Sequence, residues 1–109
     1  DGVQKPVEKT EYADNIYWVY GLVLEDQIKA DADEVMKRLG DEGIGCRGFF
    51  WGMHEQPVFQ KMHLFDGERY PVSERLARRG FYIPSGLNLT DDDQQYVVEK
   101  LKKVLAEVR

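Results

Sequence analysis

The fold of this chain is decided by residues 15–24, Asn15-Ile16-Tyr17-Trp18-Val19-Tyr20-Gly21-Leu22-Val23-Leu24. β-Branched and aromatic residues dominate this stretch, and it is apolar almost throughout, which is typical of a strand covered on both faces. Shorter segments at residues 44–47 and 81–83 indicate two further strands. Together they predict a small, mainly antiparallel three-stranded sheet.

Two helices are predicted from capping residues that precede apolar or helix-forming stretches. Asp31 or Asp33 can cap a helix that continues to about Leu39. Ser73 can cap a second helix over residues 74–79. Helices that pack on a small sheet are the mark of an α+β layer structure, which is the fold class we expect.

The clearest helix begins after Thr90. The Thr90 hydroxyl can accept a hydrogen bond from the backbone of Asp93, and Asp91 and Asp92 lie at the positive end of the helix dipole. A short helical turn is also expected over residues 57–62, because Pro57 suits a first helical position. The apolar positions of the last helix form one stripe: Val97, Leu101, Val104, Leu105 and Val108.

The first 13 residues look different from the rest. They are polar, contain Pro6 and show no periodicity, so we predict a linker over residues 1–13 and a folded domain over residues 14–109. The beginning of the sequence has no apolar signal core, so a secretory peptide is absent or already removed.

The overall composition excludes several functions. The 109 residues carry 15 Lys and Arg against 20 Asp and Glu, a net charge of −5, which argues against wholesale binding to nucleic acid or anionic lipid. Cys46 is the one cysteine, so no internal disulfide can form. No apolar run approaches the roughly 20 residues of a membrane span. We expect a soluble, cytoplasmic, single-domain protein.

Residues 44–80 depart from this acidic average. They hold six basic and four acidic residues, both histidines and six of the 13 aromatic residues. A cationic, aromatic segment suits an anionic ligand that carries a flat ring. The same composition also fits aromatic rings packed in the core beside solvated arginines, and the sequence leaves both interpretations open.

No catalytic or metal site is favoured by residue spacing. Cys46 and His54 could meet across a glycine-rich bend, but nothing marks the thiol as activated. With His63 they match no common zinc pattern. The acidic run that follows Thr90 is better explained as helix capping, and no glycine-rich phosphate loop is present. Stacking of nucleic-acid bases on residues 47–51 is conceivable, but the acidic surroundings disfavour it.

Residues 46–59, CRGFFWGMHEQPVF, resemble the pattern RPFF-x-P-(L/M)-H-x-QP-x-(F/Y) of the DegT/DnrJ/StrS family of sugar-nucleotide aminotransferases. These are fold type I enzymes that depend on pyridoxal phosphate, and the perosamine synthases among them are most similar. The resemblance covers about residues 12–108. Three further stretches resemble family motifs in the same order: residues 15–20, residues 39–44, and residues 73–90 with the ending S-x-x-L…G-x-x-(L/I)-PSG-x-x-LT.

This resemblance implies a C-terminal small domain separated from its enzyme. In the family, glutamate typically supplies the amino group, which passes through pyridoxal phosphate to a 4-keto-6-deoxy nucleotide sugar for polysaccharide synthesis. The cofactor lysine, the acid at the pyridine nitrogen and the phosphate contacts belong to a large N-terminal domain. None of the eight lysines here lies in a comparable motif. The parent enzyme is then a homodimer, and this chain alone is inactive and holds no cofactor.

The family pattern also implies which residues face the substrate cleft: Arg47, Phe49, Phe50, His54 and Gln56. Arg47 would pair with a diphosphate or carboxylate, His54 would hydrogen-bond the sugar or phosphate, and the two phenylalanines would form an apolar wall.

Two departures from the pattern concern glycine. Gly48 and Gly52 stand where proline is common in the family, which predicts a more mobile loop.

An alternative interpretation is a stand-alone module that binds an anionic ligand or another protein. The separated-domain interpretation also predicts an exposed face that the missing domain covers, and weak self-association through that face.

Overall fold

The computed structural model describes residues 2–109, and a single antiparallel sheet organises them. Its strands are β1 (Val3–Gln4), β2 (Tyr20–Leu24), β3 (Arg47–Gly48) and β4 (Gly80–Ile83), in the spatial order β1-β2-β4-β3. The two central strands place Leu22 opposite Phe81. The predicted α+β fold with a small antiparallel sheet is confirmed.

The sheet has one strand more than the three expected, because the segment predicted as a linker contributes its edge. Val3 pairs with Leu24 and Gln4 with Val23, and the backbone NH of Glu25 donates to the carbonyl of Gly2 at 3.0 Å. A strand of two residues is too short to show a hydrophobic period, so sequence patterning could not reveal it.

The strand predicted over residues 15–24 begins only at Tyr20. Its first half is irregular, since Tyr17 has a left-handed backbone with φ of 49°. The side-chain oxygen of Asn15 accepts a hydrogen bond from the Tyr17 backbone NH at 2.7 Å, which closes a local turn instead of a strand ladder. The strand predicted at residues 44–47 is likewise displaced to β3.

Four α-helices accompany the sheet in the described residues: α1 (Ala32–Asp41), α2 (Pro57–Lys61), α3 (Pro71–Arg79) and α4 (Asp91–Glu107). Of the two caps considered for α1, Asp31 is the one that accepts from the Glu34 NH. The Thr90 hydroxyl accepts from the Asp93 NH at α4, as predicted, and the Asp93 side chain accepts from the Thr90 NH in return, which was not predicted. The predicted cap at Ser73 is wrong, because α3 starts earlier with Pro71, whose missing NH costs nothing at a first position. None of the described helices is long and apolar enough to cross a membrane.

The core lies between one face of the sheet and the helices α1 and α4. The stripe predicted for α4 is buried there in full. Phe81 and Leu24 are completely inaccessible to solvent, as are Val35 and Leu39 of α1. The buried cluster consists of Leu22, Leu24, Ile28, Ala30, Ala32, Val35, Leu39, Ile44, Phe81, Val97, Leu101, Val104, Leu105 and Val108.

Arg79 fastens the connection between β2 and α1 to the end of α3. Its guanidinium donates to the carbonyl oxygens of Ala30 and Glu25, both at 2.7 Å, and of Ile28 at 2.8 Å. The Glu25 carbonyl also accepts from the Ile28 NH, so Arg79 adds a second hydrogen bond there. For the Ile28 and Ala30 carbonyls of the same loop, Arg79 supplies a donor in a connection that has no regular ladder.

Replacing Arg79 with Ala should therefore destabilise the fold by roughly 2–3 kcal/mol, because three charge-assisted hydrogen bonds are lost at once. Urea unfolding followed by circular dichroism measures the effect. The matched control is Arg75→Ala on the same helix, whose guanidinium reaches the Leu24 carbonyl only at 3.5 Å and should cost less than about 1 kcal/mol. Equal effects of the two substitutions would contradict this role.

Candidate functional site

The five residues predicted to face a substrate cleft lie on one segment, residues 47–56, which connects β3 to α2. Arg47 is in β3 opposite Tyr82, and Gln56 immediately precedes α2. Arg47 and Phe50 are exposed, whereas Phe49, His54 and Gln56 are partly buried. The structure therefore brings the predicted residues together and divides them into outward and inward side chains.

Phe49 anchors this segment to the sheet on the face opposite the core. Its backbone NH donates to the Gly80 carbonyl at 3.1 Å. Its ring lies against the Cα positions of Gly21 and Gly80, so a Cβ at residue 21 would stand only 2.8 Å from the ring and one at residue 80 would overlap it. The composition left two interpretations of these aromatic rings open, contact with a ligand or packing in the core. Phe49 fits neither fully, because its ring packs on the sheet but Phe49 is not part of the buried core cluster.

His54 is held inside the segment by a carboxylate from α3. Its Nε2 lies 3.1 Å from Oε1 of Glu74, and its side chain is only 6% exposed. Tyr70 completes the enclosure, with its ring edge-on to the imidazole at 4.9 Å. The role of His54 as a substrate contact stays a prediction, since the structure shows one ring nitrogen engaged within the chain.

Glu74 is the centre of this arrangement. Arg69 donates to it from Nε and Nη2, at 2.9 and 2.6 Å, and the Tyr70 backbone NH donates at 3.0 Å. The Arg69 guanidinium, with help from the Tyr70 NH, lowers the pKa of Glu74 to about 2. An ionised carboxylate only accepts hydrogen bonds, so the hydrogen between the two side chains belongs to Nε2 of His54. Its Nδ1 is thereby left as the nitrogen that can engage another group.

A second ion pair holds the same segment from the next turn of α3. Arg78 donates to both carboxylate oxygens of Glu55, at 3.1 and 2.5 Å. The same guanidinium lies 4.6 Å from the centre of the Trp51 ring, a cation–π geometry. Gln56 closes the loop on itself by donating to the Trp51 carbonyl at 2.9 Å. Gln56 therefore supports the loop in this structure, and its predicted contact with substrate is untested.

Steric crowding explains why position 52 is a glycine, a reason that the sequence alone could not supply. A Cβ at this position would lie 2.8 Å from the His54 ring and 2.8 Å from the Ser73 hydroxyl oxygen. A side chain there would push His54 away from Glu74. Gly48 differs, because a Cβ there would meet only the methyl group of Met36 at an ordinary 3.5 Å.

The residues that sequence reasoning missed are the ones that hold the segment: Glu55, Arg69, Glu74 and Arg78. The partners of each long-range pair are 20 or more residues apart, and no period or motif links them. In the sequence, Glu74 stands out only as part of the stretch that resembles S-x-x-L, next to Ser73, the expected helix cap. The one feature of the sequence that pointed to these ion pairs was the excess of basic over acidic residues in the segment 44–80.

The other candidates for chemistry are dispersed. Burial raises the pKa of the Cys46 thiol to about 11, so it is protonated at neutral pH and is a poor nucleophile. His63 pairs with Asp66 at 3.1 Å on the surface. Within residues 2–109, no three His, Cys, Asp or Glu side chains come together as candidate metal ligands.

Four lysines at the groove and on α4 do not fit a pyridoxal phosphate site. Such a site needs a lysine amine together with a carboxylate for the pyridine nitrogen. Lys5 and Lys102 line a groove between the sheet and α4, but no Asp or Glu among the described residues lines it with them. Lys100 and Lys103 are both paired with Glu42 on the surface, at 2.5 and 2.6 Å. Neither arrangement places a free lysine amine beside a carboxylate.

The low pKa of Glu74 predicts a specific acid sensitivity. Because its pKa is lowered on folding from 4.5 to about 2, the stabilisation is present in full above pH 4.5 and is lost as the pH falls toward 2. Glu74→Gln should lower the urea midpoint at pH 7, and its deficit relative to the unmodified chain should shrink between pH 4.5 and 2. Glu11→Gln, at an exposed site, is the control and should follow the unmodified chain throughout. A deficit that does not change with pH would contradict the ion-pair account.

Comparison with known proteins gives a consistent result. The model of the DegT/DnrJ/EryC1/StrS aminotransferase family matches residues 1–102. GDP-perosamine synthase from Vibrio cholerae is 28% identical over 86 residues, which are 79% of this chain and 23% of that protein. This chain thus spans about a quarter of the length of that relative.

Two solved structures agree in fold. Sugar aminotransferase CalS13 from Micromonospora echinospora superposes with a TM-score of 0.72 at 28% identity, covering 94% of this chain and 25% of the other. DesI, solved in the presence of its TDP-sugar product, superposes with a TM-score of 0.77 at 26% identity, covering 95% of this chain and 26% of the other. By its sequence, its sheet and its motif segment, this chain belongs to the DegT/DnrJ/EryC1/StrS aminotransferase family.

Proposed function

We propose that this chain is the C-terminal small domain of a pyridoxal phosphate-dependent sugar aminotransferase and that residues 47–56 form one edge of its substrate cleft. The reaction of the whole enzyme is transfer of an amino group from glutamate to a 4-keto-6-deoxy nucleotide sugar, as in a perosamine synthase that supplies polysaccharide synthesis in the cytoplasm. The names of two similar proteins support this substrate class: one is a GDP-perosamine synthase and another was solved with a TDP-sugar product.

The observation that carries the proposal is the state of Arg47. Its guanidinium is exposed and has no ion-pair partner in the part of the chain that the structure describes, whereas Arg69 and Arg78 nearby are both paired with carboxylates. An unpaired guanidinium is suited to bidentate binding of a diphosphate or carboxylate. Phe50, which is 85% exposed, provides the adjoining apolar surface.

The contacts behind the segment support the same role. The Glu74–His54 and Arg78–Glu55 pairs tie the loop to α3, and Phe49 ties it to the sheet. A cleft residue must be held in position to favour one substrate orientation, since misplacement costs rate and affinity. Under this proposal, Arg47 and Phe50 contact the substrate while His54 and Gln56 set the shape of the edge.

The cofactor and its lysine belong to the remainder of the enzyme, the part of the relatives that this chain does not match. The second face of the sheet is suited to meet it, because Val7, Ile16 and Trp18 are largely exposed around the partly buried Phe49. Exposed apolar patches of this kind mark interaction surfaces. The whole enzyme acts as a homodimer, and the 109-residue chain alone does not transaminate.

A domain exchange tests the substrate role. This chain replaces the matching segment of the Vibrio cholerae GDP-perosamine synthase, and the hybrid is assayed with a GDP-linked keto sugar. Arg47→Ala in the hybrid should raise KM roughly tenfold, the equivalent of one lost charge-assisted hydrogen bond. Arg75→Ala, which removes an exposed arginine outside the segment, should leave KM within about twofold.

The alternative is a stand-alone module, and calorimetry separates the two. The isolated chain should show no measurable heat with a GDP-sugar, because half of the cleft is absent. Tight binding by the isolated chain that Arg47→Ala weakens would favour the stand-alone module. An active hybrid in which Arg47→Ala has no effect on KM would exclude Arg47 from the cleft.

A further inference from the structure

A second concave site lies away from residues 47–56, between the core face of the sheet and α4. It is a groove of about 610 Å³, within the range of small-molecule sites, and none of its lining residues belongs to the segment described above. Its floor is apolar and is formed by Leu22, Ile83, Val97, Leu101 and Leu105. A floor of this kind favours an apolar ligand body.

One wall of the groove is aromatic and is held in an unfavourable backbone conformation. Tyr17 and Tyr20 stack with ring centroids 5.6 Å apart and an angle of 18° between their planes. Tyr17 has a φ of 49°, a left-handed region that is unfavourable for a non-glycine residue. The hydrogen bond from its backbone NH to Asn15 offsets part of this cost. Tyr17 therefore lines the groove in a backbone conformation that a non-glycine residue disfavours.

The rim of the groove is cationic. Lys5 and Lys102 line it, and neither ammonium group forms a hydrogen bond or an ion pair within residues 2–109. No Asp or Glu is among the lining residues. The contrast with other lysines is sharp, because four others are paired with carboxylates: Lys9, Lys37, Lys100 and Lys103.

We propose that this groove binds an amphipathic monocarboxylate. The carboxylate pairs with the Lys5 and Lys102 ammonium groups at the rim, and the apolar body lies on the floor against the Tyr17 ring. Two cations without counter-ions favour one anionic head over a neutral one, and the absence of acids from the lining removes repulsion. The groove contains no residue of the segment 47–56, although Lys5 also lines the groove beside Phe49 on the other face of the sheet. The proposal does not depend on the reaction proposed for the enzyme.

The test uses the 109-residue chain and sodium decanoate, with binding followed by amide chemical shifts in NMR spectra. Saturable shifts should occur at Leu22, Val98 and Leu101, which line the groove. The double variant Lys5→Gln/Lys102→Gln should weaken decanoate binding roughly tenfold through loss of both charge pairs. Decanol, which has the same chain without a charge, should bind more weakly than decanoate and should be insensitive to this variant.

Lys29→Gln/Lys61→Gln is the matched control. It removes the same total charge from two lysines whose ammonium groups have no partner in the described structure and which do not line the groove. Its decanoate affinity should stay within twofold of the unmodified chain. Val98→Trp provides a second variant, because a large side chain there fills the groove and should abolish binding while the dispersed spectrum of a folded chain is kept.

Several results would overturn the proposal. One is the absence of saturable shifts with decanoate. Another is an equal loss in the two double variants, which would mean general charge attraction. A third is decanol binding as tightly as decanoate, which would mean that the lysines do not select the ligand. Failure here would leave the role of Arg47 in the cleft untouched, since the two tests share no variant.

Discussion

The pairing of β2 with β4 is the constraint on which the rest of the structure depends. It joins residues 59 positions apart, Leu22 and Phe81, and closes the core between them. Because side chains alternate across a strand, the same register presents the glycines at positions 21 and 80 on the opposite face. One face thus closes the core with α1 and α4, and the other receives the ring of Phe49. A shift of the β2–β4 register by one residue would exchange the two faces, so that neither the core nor the contact with the Phe49 ring would form.

The segment proposed as the cleft edge, residues 47–56, is positioned by this pairing through α3, which runs directly into β4. Glu74 and Arg78 lie one helical turn apart on α3, and each holds a residue of the loop, His54 and Glu55 respectively. Arg79 on the same helix holds the connection between β2 and α1. A single helix therefore couples the closing of the core to the position of the loop, so that fold stability and the candidate site share contacts.

The sequence was sufficient for the features that depend on local chemistry or on period. The Thr90 cap, the buried stripe of α4 and the α+β class all follow from residue type and spacing. The edge strand β1 could not be predicted, since a strand of two residues shows no hydrophobic period. The start of β2 was placed too early because the residues around the Asn15–Tyr17 turn, Ile16 to Val19, are as apolar as the strand that follows. For the site, the motif located residues 47–56, but the ion pairs that hold them join distant positions that no local pattern connects.

The central proposal is that this chain is an aminotransferase small domain whose own residues shape a cleft but do not hold the cofactor. The most direct measurement is an absorbance titration of the 109-residue chain with pyridoxal phosphate at neutral pH. The account predicts a spectrum equal to the sum of the free components, with no saturable change at one equivalent. A stoichiometric new absorption band that a single Lys→Ala substitution abolishes would contradict it.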